Sequence, residues 1–147
     1  DNQEKGILYE RQVNQFIINN TKYNSYLWNE CPENILIENK LISSHNHNRI
    51  IRKDIKEGHL HHHKDIGIDI IQIDDNNICS AIIQCKNGYK KGVTMEDLAG
   101  FSIMTLSYQN CIEKGYVYYT NKLSPNLRCL PQTNLIEFIL FESFVIK

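Results

Sequence analysis

At 147 residues the chain can enclose one sizeable core but is too short for two ordinary domains, so a single domain over 1–147 is expected. Its 41% hydrophobic and 22% charged residues exclude a disordered or fibrous chain. The 16 basic and 17 acidic residues leave a formal net charge of −1, which excludes a global pull toward nucleic acid or an acidic membrane, so any nucleic-acid surface must be local.

No apolar run reaches the roughly 18 to 20 residues of a membrane span and no signal peptide opens the chain, so the expectation is an intracellular protein without a membrane partner. Five widely spaced cysteines, Cys31, Cys79, Cys85, Cys111 and Cys129, form no C-x-x-C pair and are expected to be reduced and mostly structural. The chain begins on Asp1 and stops on an apolar run, which suggests a domain cut from a larger protein.

In chain order, Ile7, Leu8, Val13, Phe16 and Ile17 recur at helical spacing and predict an amphipathic helix from Gly6 to about Asn20, with Glu10 in its first or second turn. The stretch YNSYLWNECPENILIENK reads as loop followed by a short strand or a helical turn around Ile35 to Ile37. Residues 43–65 hold all six histidines with little periodicity and read as a polar surface segment. Next come two β-branched runs, IGIDIIQI and ICSAIIQCK, joined by DDNN, which together predict a hairpin. Thr94 followed by Asp97 resembles a capping box, and Leu98, Ala99, Ser102, Ile103 and Leu106 continue on one face of a helix over about 95–109. GYVYYTN, residues 115–121, reads as a strand ended by Pro125, and the final NLIEFILFESFVIK is too uniformly apolar to assign to strand or helix.

The chemistry concentrates in the hairpin. Residues two apart on a strand share a face, so Gln84 and Lys86 point together while Cys85 points away. With DDNN as the turn, Ile73 pairs near Ile78 and Asp69 falls near Ala81 or Ile82. A small register offset or a bulge would bring Asp69, Gln84 and Lys86 to one point. A carboxylate, an amide oxygen and an ammonium form a coherent set for phosphodiester hydrolysis: oxygens for a hard cation such as Mg²⁺, and a positive group for the attacking water or the developing charge.

GIDIIQIDDNNICSAIIQCK resembles the D-(x)n-(E/Q)-x-K signature of the PD-(D/E)xK nuclease superfamily, in the form found in Mrr-like restriction endonuclease domains. LYERQVNQFI is similar to that family's first helix, YLWNECPENI and VTMEDLAGF to core-flanking segments of nuclease domains attached to superfamily II helicases, and GYVYYTNKLSPN to the later strand and loop. The resemblance implies an α/β restriction-endonuclease-like core, a central mixed four- to five-stranded sheet flanked by helices. It implies a Mg²⁺- or Mn²⁺-dependent endonuclease acting on DNA rather than RNA, with an attached or partner helicase. Two sites for the two strands of a duplex could come from a homodimer. On it, Asp69 and Gln84 are the metal ligands, Glu10 an additional metal or water contact, and Lys86 the catalytic lysine. Gln84 departs from the usual carboxylate and lowers the charge by one, which favours a single ion.

Other readings stand beside this one. A non-cleaving nucleic-acid-binding module would keep the fold without turnover. His59, His61, His62 and His63 could bind zinc or form a solvated loop, and Asp65 is read as a loop residue. Lys90, Lys91 and Thr94 are candidate contacts to a nucleic-acid backbone at a helix N-terminus, and Trp28 and the tyrosines are expected in the core or an interface rather than as base-stacking platforms.

Overall fold

The computed structural model describes residues 2–42, 51–54, 59–63, 67–130 and 135–142, with 51–54 and 59–63 described by backbone alone. Five strands form one mixed sheet, in the order β1 (Asn24–Leu27), β4 (Ile70–Ile73), β5 (Cys79–Lys86), β6 (Lys114–Tyr119), β7 (Ile136–Leu140). β4 runs antiparallel to both β1 and β5, whereas β5, β6 and β7 are parallel. The helices are α1 (Asn2–Asn20), α2 (Glu33–Glu38), α3 (Ala99–Ser107) and α4 (Pro125–Arg128), with 3₁₀ turns at Trp28–Glu30 and Glu96–Leu98. The expected α/β class with a mixed sheet flanked by helices is therefore observed. Among the described residues no helix is long and apolar enough to cross a membrane.

The sheet is buried on both faces, which is why β4 reads as an almost unbroken apolar run. On one face Tyr9, Val13 and Ile17 of α1 pack with Leu27, Ile70, Ile83 and Tyr118. On the other, Ile71, Ile82 and Val117 pack with Trp28, Leu98 and Phe101. Strand alternation thus sends Ile83 and Cys85 toward α1, and Ile82, Gln84 and Lys86 toward the α3 side.

Several expectations change in phase rather than kind. The first helix begins at Asn2, so Glu10 lies in its third turn, and Tyr9 sets the buried stripe while Ile7 and Leu8 stay exposed. In α3, Phe101 and Thr105 face the core, leaving Ile103 64% exposed and Leu106 57% exposed. The Ile35–Ile37 segment is helical, and the ambiguous C-terminal run contributes a strand, β7. The polar segment contains two antiparallel strands, β2 (Ile51–Asp54) and β3 (His59–His63), which form a separate small sheet rather than plain loop. The roles read for the histidines and for Asp65 lie outside the described side chains.

Candidate functional site

Asp69 is placed by backbone geometry before chemistry enters. Gly67 bends the chain with φ of +88°, and a β-carbon there would lie 3.1 Å from the Phe101 nitrogen and 3.2 Å from the Gly100 carbonyl carbon. This contact needs glycine twice over, for its conformation and for its lack of a side chain. Two residues on, the Asp69 carbonyl accepts the Trp28 N–H at 2.8 Å, continuing the β1–β4 pairing, and its own N–H donates to the Ile83 carbonyl at 2.9 Å.

The carboxylate then acts as a strand carbonyl would: Asp69 Oδ2 accepts the Cys85 N–H at 2.8 Å. These last two bonds engage Ile83 and Cys85 and so straddle Gln84. The register explains how. The turn closes on Ile73↔Cys79 rather than on Ile78, and an irregularity between Gln72 and Ile73 shifts the rest of the ladder, giving Ile70↔Ile83. The sequence called for a small register offset or a bulge; the register is offset at the turn and shifts again at Gln72/Ile73, which carries Asp69 up to the level of Gln84.

Gln84 is only 8% exposed, and its side-chain oxygen Oε1 is buried with no hydrogen-bond partner among the described residues. An unsatisfied buried acceptor costs about 1–3 kcal/mol, so the arrangement calls for a donor or a cation. Lys86, on the same face, is half-exposed with its Nζ 5.5 Å from the centroid of the Tyr89 ring, a cation–π approach that directs the ammonium.

Glu10 reaches this end of the sheet from α1. It is half-buried, and with Asp69 it acts on the thiol of Cys85. Burial pushes that thiol well above its ordinary pKa, the Asp69 and then the Glu10 carboxylates push it further, and Lys86 opposes them. Asp69, Glu10 and Lys86 therefore all act on Cys85, but Glu10 comes from α1, on the face opposite the one to which Gln84 and Lys86 point. Among the described residues no three His, Cys, Asp or Glu side chains are grouped to hold a metal by themselves. An ion here would depend on the amide oxygen of Gln84 beside the Asp69 carboxylate, and that orphaned oxygen is what fits the donor set to a hard cation.

Lys90 and Lys91 are exposed on the loop that leaves β5. Thr94 is engaged in the capping box: its N–H donates to Asp97 Oδ2 at 2.8 Å and its Oγ1 accepts the Asp97 N–H at 3.3 Å. Sequence reasoning missed the backbone amide of Cys85 as the group that fixes Asp69, and Tyr89 as the ring beneath Lys86. Side-chain patterns carry no signal for the first; for the second, an aromatic three residues beyond a strand-end lysine was the available clue.

Compared with known proteins, the chain matches no family model, no curated protein and no solved structure.

Proposed function

We propose that the chain is a restriction-endonuclease-like domain that hydrolyses DNA phosphodiester bonds with the help of Mg²⁺ or Mn²⁺. The observation that carries this reading is the buried, unpartnered Oε1 of Gln84, bracketed by the two bonds of Asp69 and followed on the same face by Lys86. The mixed sheet, with these residues at the carboxyl end of parallel strand β5, supports the fold assignment.

Asp69 and Gln84 would hold the ion, with Glu10 as the additional contact. When bound, the ion supplies Lewis-acid polarisation of the phosphate and a lowered pKa for a bound water. The chain does the rest by positioning. The Cys85 N–H fixes the Asp69 carboxylate, so its orientation is set before any ligand arrives. Gln84 presents a neutral oxygen whose burial makes a cation a favourable partner. Lys86, steadied against Tyr89, orients the attacking water and stabilises the charge that grows on the phosphate oxygens. One carboxylate beside one amide carries less charge than two carboxylates, which suits a single ion.

The test is incubation of labelled single-stranded, duplex and branched DNA with Mg²⁺, Mn²⁺ or EDTA, beside folded Asp69→Ala and Lys86→Ala proteins. Cleavage that needs metal and vanishes in both variants is expected. Folded wild-type protein that binds these DNAs yet never cuts them would replace this reading with the non-cleaving binding module.

A further inference from the structure

The loops that follow β5 and β6 leave the same end of two parallel strands, and they are joined to each other. The Gly88 N–H donates to Thr120 Oγ1 at 2.9 Å, Asn121 Nδ2 donates to the Tyr89 carbonyl at 3.0 Å, the Val93 N–H donates to the Lys122 carbonyl at 3.0 Å, and the Ser124 N–H donates to the Val93 carbonyl at 2.8 Å. Gly92, with φ of +96°, lies so close that a β-carbon would stand 3.1 Å from the Ser124 nitrogen. Two excursions from the sheet thus form one preorganised surface beside Gln84 and Lys86.

Its charge differs from that of the chain. Residues 86–94 and 119–124 contain Lys86, Lys90, Lys91 and Lys122 and no carboxylate, although the whole chain carries a formal net charge of −1. Lys90, Lys91 and Lys122 are exposed. The acids that border this surface are Glu142, whose Oε1 accepts the Asn121 N–H at 3.4 Å, Asp97, whose carboxylate is taken up by the Thr94 amide, and the exposed Glu96 beside it. Exposed lysines carried on joined loop backbones at the mouth of a site suit the spaced charges of a phosphodiester backbone.

We infer that the joined loops 86–94 and 119–124 form a strand-guiding platform for DNA, with Lys122 a backbone contact alongside Lys90 and Lys91. This inference rests on the proposed activity for its choice of polyanion, but its test reads binding alone. Binding of a fluorescein-labelled DNA is followed by anisotropy in EDTA over a salt series, so cleavage plays no part. Lys122→Glu and the pair Lys90→Glu with Lys91→Glu are compared with Lys22→Glu, an exposed lysine beside the opposite end of the sheet. Each platform variant is expected to weaken binding about tenfold, whatever the DNA sequence, and to reduce the salt slope by roughly one per lost phosphate contact, while Lys22→Glu changes it little. Gly92→Ala keeps every charge but presses the loops apart, and a smaller loss is expected.

Unchanged binding in the lysine variants would overturn the inference, as would an equal loss in Lys22→Glu, which would mark unspecific attraction. Unchanged binding in a folded Gly92→Ala protein would show that the joining of the loops is irrelevant and would overturn the platform. Tenfold tighter, platform-dependent binding of an RNA of the same sequence, or of anionic vesicles, would overturn DNA as the partner. Platform-dependent DNA binding without any cleavage would remove the nuclease reading and leave the platform standing, whereas cleavage indifferent to the platform variants would do the reverse.

Discussion

The hairpin β4–β5 carries two buried glutamines near its opposite ends, and they are treated differently. Gln72, 6% exposed, donates from Nε2 to Ser80 Oγ at 3.1 Å, and the serine hydroxyl lies 3.4 Å from the Gln72 carbonyl. Gln84 is as deeply buried, yet its Oε1 meets no partner among the described residues. One end of the hairpin is a closed polar pair next to the register irregularity. The other leaves an acceptor open beside a carboxylate and a lysine. Most buried polar groups in folded chains are closed in this way; the buried Oε1 of Gln12 is open as well, and what sets Gln84 apart is the Asp69 carboxylate and the lysine beside it, which is why the proposed ion is placed there.

The largest effect expected from this contrast is on turnover. Asp69→Asn keeps an acceptor for the Cys85 N–H but removes the charge, so cleavage should fall by at least about 100-fold while stability changes by no more than about 1 kcal/mol. A matched loss of stability and activity, measured by denaturant unfolding beside the cleavage rate, would reduce Asp69 to a structural residue. Next comes the closed end. Gln72→Leu removes the amide donor to the Ser80 hydroxyl, which keeps only its 3.4 Å bond to the residue-72 carbonyl, and should cost about 1 kcal/mol, read as a lower urea midpoint with cleavage retained.

A smaller effect comes from the buried thiols of the core. Burial pushes both Cys31 and Cys79 up to about 12 from an ordinary 9.0. A folded-state pKa above the unfolded one gives stability that is fully present below about pH 9 and is lost as the pH rises toward 12. At pH 10 each thiol should therefore cost about 1.4 kcal/mol relative to pH 7. Cys79→Ala should flatten that alkaline fall, measured as the urea midpoint across pH 7 to 10, and an unchanged slope would show that this thiol is not desolvated.

Most of the framework was legible in the sequence because it rests on short-range signals. The β-branched runs on either side of DDNN specify the hairpin, and the left-handed Asn77 closes its turn. Thr94 and Asp97 form the capping box that their spacing suggests. The co-location of Asp69 with Gln84 was legible only conditionally, since it depends on a one-residue irregularity at Gln72/Ile73 that strand propensity does not encode. The helix faces failed for a different reason. Ile103 and Leu106 fit a helical period, but tertiary packing chose the stripe through Phe101, whose ring is 3.1 Å from where a β-carbon on Gly115 would stand. In the 43–65 region, pairing between Ile51–Asp54 and His59–His63 overrides a composition that reads as loop.

The most direct test of the open acceptor is the thermal unfolding midpoint of wild type and Gln84→Leu, each with and without Mn²⁺. Without metal, Gln84→Leu should be at least as stable as wild type, because an orphaned acceptor has been replaced by an apolar group of similar size. With Mn²⁺ in about hundredfold excess over its dissociation constant, wild type should gain about 2.7 kcal/mol, seen as a raised midpoint, and Gln84→Leu should gain little. A Gln84→Leu protein that is destabilised without metal, with the same Mn²⁺ response as wild type, would contradict the account and make Gln84 a second structural glutamine like Gln72.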